Sequence, residues 1–205
     1  MAKVVGVFST HLYQGSLPGN PALNRALSKD VEDFSAQDKL GQSWSEENYR
    51  NGYTSYASLS DMQFRSPTFA KFSDLMQPHA TKFAKSLGWE LKGCHLRMTT
   101  CWMNVMPKNS YHTLHLHPHS VISGTYYVST PKGSVSLKLE DPRMPMYMNA
   151  PVRTRGKNNS HYYVVQAKAG TFVLFESWLR HEVPPNQSAS PRVSISFNYE
   201  IEEND

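Results

Sequence analysis

The chain is poor in cysteine and free of the apolar and basic runs that mark membrane and nucleic-acid-binding proteins. Its two cysteines, Cys94 and Cys101, are too few for a disulfide framework. No apolar run approaches the roughly 18 residues of a membrane span, and the start MAKVVGVFSTHLY lacks the apolar core of a signal peptide. The net charge is only +4 and no basic run occurs, so no nucleic-acid partner is expected. These absences predict a cytoplasmic protein without a membrane partner.

Aromatic and turn-forming residues, by contrast, are plentiful. There are 11 Tyr, 9 Phe and 4 Trp, which favour strands, together with 13 Pro and 11 Gly, which favour turns. A chain of 205 residues suits one domain with a full core. We therefore predict a single domain over residues 1–205, in which residues 1–93 form an N-terminal helical and loop portion and residues 94–200 form a β core.

The N-terminal portion carries the weaker pattern of regular structure. The apolar stretch VVGVF predicts a short strand over 4–8. Apolar residues at helical spacing predict a helix over 21–35, whereas the polar residues 40–66 predict a loop. A second helix is predicted over 66–88, with a kink or a break at Pro78.

After Gly93 the sequence pattern changes to strand-like runs separated by turn residues. The runs cover residues 95–106, 111–117, 121–129, 134–140, 161–167, 171–176, 178–184 and 192–200. Short strands at this density predict a mainly β protein with an antiparallel sandwich or barrel. One long connection, over 144–160, interrupts the succession, and loops of that length are often functional.

Four histidines lie within the ten residues YHTLHLHPHS, 111–120. Residues two apart in a strand face the same side, so His115 and His117 would project side by side and could share a metal ion. His119 follows a proline where the strand is expected to end, and a pair of His117 and His119 remains an alternative. A solvated, histidine-rich strand edge is the third interpretation. His181, in SWLRHEVPPN, lies in another predicted strand and strengthens the metal hypothesis.

The last predicted strand, PRVSISFN, carries an arginine on its polar face. Alternation places Arg192, Ser194 and Ser196 on one face and apolar residues on the other. An arginine that points into a barrel needs an anionic partner. A dicarboxylate ligand would provide one through bidentate pairing.

Four ordered motifs carry a resemblance to a known family. The stretches HLHPHSVISGTYYV, LEDPR, FVLFESWLRHEVPPN and RVSISFNYE occur in this order, and they resemble the iron(II)- and 2-oxoglutarate-dependent oxygenases, in particular a group of bacterial and phage members. The resemblance covers roughly residues 95–200, and GVFSTHLY and NGYTSYASL resemble the group's N-terminal part. It implies a double-stranded β-helix (a jelly-roll, or cupin-like, fold) with the N-terminal helices packed on the outside.

The resemblance also implies an iron site. The superfamily holds Fe(II) with His-x-Asp/Glu on one strand and a distal His on another, which here match His115, His117 and His181. The chain departs from that pattern because His117 stands where a carboxylate is usual. Three imidazoles also suit zinc, copper and nickel. Asp141, in LEDPR, is an alternative carboxylate ligand, although Asp-Pro is typical of a turn.

Four further residues match positions that bind 2-oxoglutarate in the superfamily. The resemblance implies that Arg192 and Ser194 hold the C5 carboxylate, that Tyr127 reaches the same carboxylate, and that Asn104 binds the C1 carboxylate. A Tyr or Asn with an ordinary structural role is the alternative for the last two.

The activity implied is hydroxylation of an unidentified substrate, a small molecule or a peptide, together with O2. The mild positive charge favours an acidic substrate, and a homodimer is compatible with the sequence. The alternative is a cupin-like three-His metal protein, a thiol dioxygenase or a ligand-binding protein, that does not use 2-oxoglutarate.

Overall fold

The computed structural model describes residues 1–17, 19–149, 151–152 and 160–204. Strands alternate with four helices in the first half of the chain, and the second half is almost entirely strands. The helices are α1 (Asn20–Gln37), α2 (Lys39–Asn48), α3 (Met62–Arg65) and α4 (Pro67–Ser86). The strands are β1 (Leu12–Ser16), β2 (Tyr53–Thr54), β3 (Cys94–Met106), β4 (His112–His115), β5 (Ile122–Ser129), β6 (Lys138–Glu140), β7 (Tyr162–Val164), β8 (Thr171–Glu176), β9 (His181–Val183) and β10 (Arg192–Glu203).

Two antiparallel sheets form the β core. The larger sheet has the strand order β1-β8-β5-β10-β3-β2, and the smaller has the order β4-β9-β6-β7. All eight runs predicted after Gly93 contain one of these strands. Side chains of both sheets line one cavity between them. The order is that of the predicted double-stranded β-helix, so the mainly β prediction is confirmed.

The helices cover the outer face of the larger sheet. Apolar side chains of α1 and α4, such as Leu27 and Phe72, are fully buried in one cluster with Ile195 and Phe197 of β10. Alternation along β10 therefore sends its apolar residues outward to the helices and leaves its polar residues to face the cavity, as predicted. The larger sheet therefore has an apolar face that packs against the helices and a polar face that lines the cavity.

The predicted strand over 4–8 is wrong. The first strand is β1, which pairs with β8 from Leu12 to Ser16, whereas Val4, Val5 and Phe8 are exposed. A β-prone sequence forms a strand only where it can pair with the edge of a sheet. Here the strand β8 already pairs with Leu12–Ser16 of β1.

The polar segment 40–66 is not the predicted loop, because it contains α2, β2 and α3. Asp38 caps α2 by accepting a hydrogen bond of 2.9 Å from the Gly41 N–H, and the Tyr53 hydroxyl donates to the same carboxylate at 2.8 Å. Ser45 of α2 is bonded through its hydroxyl to Thr54 of β2. These tertiary contacts stabilise a helix that has little apolar periodicity of its own.

The second predicted helix is confirmed as α4, but it continues through Pro78 without a break. The Ser66 hydroxyl caps its start by accepting from the Thr68 and Phe69 N–H groups. Buried residues on both sides of the proline, among them Phe72 and Phe83, anchor α4 to the sheet, and this packing offsets the one hydrogen bond that proline removes.

Two further observations concern the rest of the chain. None of the described helices is long and apolar enough to cross a membrane. Of the predicted connection 144–160, Met144–Tyr147 form a short 3-10 helix, while residues 150 and 153–159 lie outside the described part of the chain.

Candidate active site

Three histidines converge between the sheets. Antiparallel pairing of β4 with β9 sets His115 opposite His181, and their ring centroids are 4.3 Å apart. His117 lies two residues past the end of β4, but its backbone N–H donates to the Ser177 carbonyl at 3.1 Å and keeps the chain beside the cluster. One ring nitrogen from each histidine lies within 4.8 Å of the other two, which is the spacing of ligands to one metal ion.

Hydrogen bonds orient each ring in the same way. The Nδ1 of His115 lies 2.6 Å from the Thr113 carbonyl, and that of His181 lies 2.9 Å from the Leu179 carbonyl. The Nδ1 of His117 lies 2.7 Å from the Asn198 amide oxygen. Because these partners are acceptors, Nδ1 carries the proton and each Nε2 keeps a free lone pair. The cluster therefore offers three neutral nitrogen donors to a metal.

The support of His117 consists of neutral groups. The Ser123 hydroxyl donates to the Asn198 amide oxygen at 2.8 Å and also lies 2.8 Å from the Ser177 hydroxyl. The Asn198 amide nitrogen donates in turn to the Thr100 hydroxyl at 3.0 Å. Such a network fixes the ring without adding a negative charge behind it.

Burial favours the neutral form of these imidazoles. Loss of hydration lowers the pKa of His181 to about 3 and that of His117 to about 4, and burial also lowers the pKa of His115. All three imidazoles are therefore neutral at pH 7. They can bind a cation without first releasing protons.

The two other ligand candidates lie apart from the cluster. His119 adopts a left-handed backbone conformation with φ of 69° in the turn after β4. The Asp141 carboxylate accepts hydrogen bonds from the backbone N–H and the guanidinium of Arg143. This pairing lowers the pKa of the carboxyl to about 2. Neither residue belongs to the group of potential ligands that the described residues bring together.

Arg192 is buried in the same cavity without a carboxylate partner. Its side chain is only 1% exposed, and one guanidinium nitrogen donates to the Ser194 hydroxyl at 3.3 Å and to the Met106 sulfur at 2.9 Å. Its Nε has no hydrogen bond, and no ion pair of Arg192 is found in the described part of the chain. A buried, unpaired cation is costly, so this end of the cavity suits an anionic ligand.

Asn104 and Tyr127 lie on the cavity side of their strands. Asn104 faces Ser194 across the β3–β10 pair. Its amide nitrogen donates to the Ser196 hydroxyl at 3.1 Å, and its amide oxygen has no partner. The Tyr127 ring lies 5.1 Å from the Arg192 guanidinium. Its hydroxyl has no hydrogen bond of normal geometry. Two buried donors without a hydrogen bond of normal geometry, the Arg192 Nε and the Tyr127 hydroxyl, are features expected of a site for a carboxylate ligand.

Sequence reasoning missed two residues beside this cavity, Tyr49 and His112. Tyr49 follows α2 directly and stacks on His112, with ring centroids 4.2 Å apart. Tyr49 is buried and His112 is half-buried next to the cluster, and the Tyr49 hydroxyl has no hydrogen-bond partner among the described residues. Tyr49 belongs to the segment predicted as a loop, so periodicity gave no reason to select it.

Comparison with known proteins identifies the class of this site. Residues 100–198 match the model of a protein family described as "Putative 2OG-Fe(II) oxygenase". A prolyl-4-hydroxylase from Pseudomonas putida superposes with a TM-score of 0.64 and 15% identity, over 94% of this chain and 93% of that one. HygX from Streptomyces hygroscopicus, crystallised with nickel and 2-oxoglutarate, superposes with a TM-score of 0.59 and 11% identity, over 93% and 83%. No curated protein sequence matches.

Residues 100–198, about half of the chain, form a 2OG-Fe(II) oxygenase domain. The cofactors of that superfamily are Fe(II) and 2-oxoglutarate, and its members oxidise a substrate with O2. At 11–15% identity the structural similarity establishes the fold, a double-stranded β-helix. The resemblance, the fold, the enzyme class and the cofactors predicted from the sequence are thereby confirmed.

Proposed function

We propose that the chain is a hydroxylase that holds Fe(II) with His115, His117 and His181 and binds 2-oxoglutarate against Arg192. The observation that carries this proposal is the juxtaposition of three neutral imidazoles with a buried arginine that has no anion of its own. A metal and a dicarboxylate each satisfy one of these two unsatisfied groups. A single ligand that spans both explains why the two lie in one cavity.

The residues divide the work of binding. When bound, iron and 2-oxoglutarate supply the oxidation of a C–H bond by O2, with succinate and CO2 as products. Arg192, with the Ser194 hydroxyl, pairs with the far carboxylate, and the Tyr127 hydroxyl lies where it can donate to the same group. The Asn104 amide keeps one N–H beyond the one given to Ser196, and it is our candidate for the near carboxylate.

The proposed site carries an excess of positive charge. Three neutral imidazoles leave both positive charges of Fe(II) uncompensated, whereas a site with one carboxylate ligand leaves one. Arg192 adds a further positive charge at the other end of the cavity. The two negative charges of 2-oxoglutarate therefore meet three positive ones, so this cavity should favour dianions over neutral ligands.

Orientation of His117 by Asn198 leads to a prediction. Asn198→Ala should weaken Fe(II) binding by about 10- to 100-fold, because the ring loses the acceptor that holds its Nδ1. Titration of Fe(II) under nitrogen against a competing chelator measures the change. Asn204→Ala removes an exposed amide that contacts His95 and serves as the control. Unchanged affinity in Asn198→Ala would mean that Ser123 alone suffices to hold the ring.

One feature favours a second candidate, a three-His metal protein that does not use 2-oxoglutarate. No carboxylate joins the cluster among the described residues, and three-His iron sites are typical of thiol dioxygenases. Arg192 would then hold the carboxylate of the substrate itself.

Anaerobic titration of the apo-protein with Fe(II), followed by 2-oxoglutarate, separates the two candidates. We expect a weak visible charge-transfer band, because the keto acid chelates the metal, and no band with glutarate, which lacks the keto group. Bound Fe(II) without a band on addition of 2-oxoglutarate would support the second candidate. The substrate class (a small molecule or a peptide), the homodimer and the cytoplasmic location stay predictions.

A further inference from the structure

A second cavity lies on the outer side of the histidine cluster. Its volume is about 380 Å³, and we call it the mouth. The mouth is lined by residues of α2 and β2, of the β4 end and of the outer ends of β3 and β10, namely Trp44, Asn48, Tyr49, Thr54, Tyr56, Thr100, Trp102, His112, Thr113, His115, Leu116, His117, Pro118, Ser120, Asn198 and Glu200. Because His115 and His117 border it, a substrate in the mouth reaches the proposed iron directly.

Aromatic rings form much of the wall. Trp102 is buried, and Tyr56 packs edge-on against it with ring centroids 5.2 Å apart. Tyr56 is 54% exposed and Trp44 is 37% exposed. Large aromatic side chains left partly exposed around a concave site are typical of ligand binding.

The charge of the mouth is the reverse of the charge of the whole chain. Among the described residues, the lining contains no Lys or Arg and one carboxylate, that of Glu200. One Glu200 oxygen accepts a hydrogen bond of 2.8 Å from the Thr99 hydroxyl, but no ion pair of Glu200 is found in the part of the chain that the structure describes. Arg97 lies opposite in the β3–β10 register, yet it pairs with Glu202 instead.

We propose that the substrate carries a positively charged group, an alkylammonium or a guanidinium, bound against the aromatic rings and Glu200. Aromatic faces attract cations, the more so when water is excluded, and the carboxylate supplies the counter-charge. An anionic substrate would instead meet Glu200 and no Lys or Arg of the described lining. The inference rests on the proposed function, since it takes the mouth as the entrance to the iron.

The test compares three probes of similar shape: 2-phenylethylammonium, 2-phenylethanol and 3-phenylpropionate. Their binding to the full chain, loaded with Fe(II) and 2-oxoglutarate under nitrogen, is measured by calorimetric titration. We expect the cation to bind about fivefold more tightly than the alcohol, and the anion to bind most weakly.

Three variants test which side chains cause the tighter binding of the cation. Glu200→Gln keeps an acceptor for Thr99 and should reduce the advantage of the cation over the alcohol. Glu203→Gln, on the same strand but outside the mouth, should leave it intact. Trp44→Ala should weaken the cation and the alcohol together. An anion that binds as tightly as the cation, or a cation advantage that is undiminished in Glu200→Gln, would overturn the proposal.

The two proposals fail separately. A charge preference that depends on Glu200, found in a protein that gives no charge-transfer band with 2-oxoglutarate, would refute the oxygenase assignment and leave the mouth as a cation site. A band without that preference would refute only the substrate class.

Discussion

His181→Ala should abolish metal binding and turnover together. The residue is 4% exposed and stands opposite His115 in the β4–β9 pair, and no fourth side chain joins the ligand group among the described residues. Two imidazoles from one chain segment hold a divalent metal poorly, and we expect a loss of Fe(II) affinity of more than about 100-fold, beyond the loss typical of removing a supporting residue. Metal content after dialysis and the consumption of 2-oxoglutarate measure the two effects.

His119→Ala is the matched control, because it removes a histidine two residues from His117 that points elsewhere in a turn. It should leave metal content and turnover unchanged. Circular dichroism of both variants separates loss of ligand from loss of fold. If His181→Ala kept its iron while His119→Ala lost it, the ligand set would be the pair of His117 and His119 instead.

Strand alternation made the β core predictable. The polar face of β10, with Arg192, Ser194 and Ser196, follows from a period of two residues, which depends on local backbone geometry alone. The convergence of His115 with His181 required more, because antiparallel register between distant segments is not encoded locally. There the family motifs supplied what periodicity could not.

The N-terminal wall of the site could not be predicted in the same way. The α2 helix has a polar sequence, and it is held by Asp38 and by contacts between Ser45 and Thr54. Tertiary contacts of this kind cannot be predicted from the apolar pattern of neighbouring residues. The sequence therefore gave no indication that Tyr49 lies at the site. The same holds for His112, on which the Tyr49 ring stacks. The residues missed are those whose role depends on a partner far away in the chain.

Arg192→Met should abolish the response to 2-oxoglutarate while leaving the fold intact. Loss of a buried charge partner costs about 2–5 kcal/mol of binding free energy, which is roughly 30-fold to several-thousandfold in affinity. The apo-protein should be as stable as the unmodified chain or more stable, since the change removes an unpaired buried cation beside Met106 and inserts a side chain that packs there. A residue that served only the fold would show the opposite pattern.

Thermal unfolding of the apo-protein and of the metal-loaded protein with 2-oxoglutarate measures the two halves of this prediction. At a 2-oxoglutarate concentration of 100 times Kd, ligand binding stabilises the unmodified chain by about 2.7 kcal/mol, which for a domain of this size raises Tm by roughly 5–10 °C. Arg192→Met should lose nearly all of that shift at the same concentration. Arg65→Met, which breaks an exposed pair with Asp61, should keep it. A low apo Tm with the shift preserved would make Arg192 a structural cation, and the carboxylate of 2-oxoglutarate would then have to bind elsewhere in the cavity.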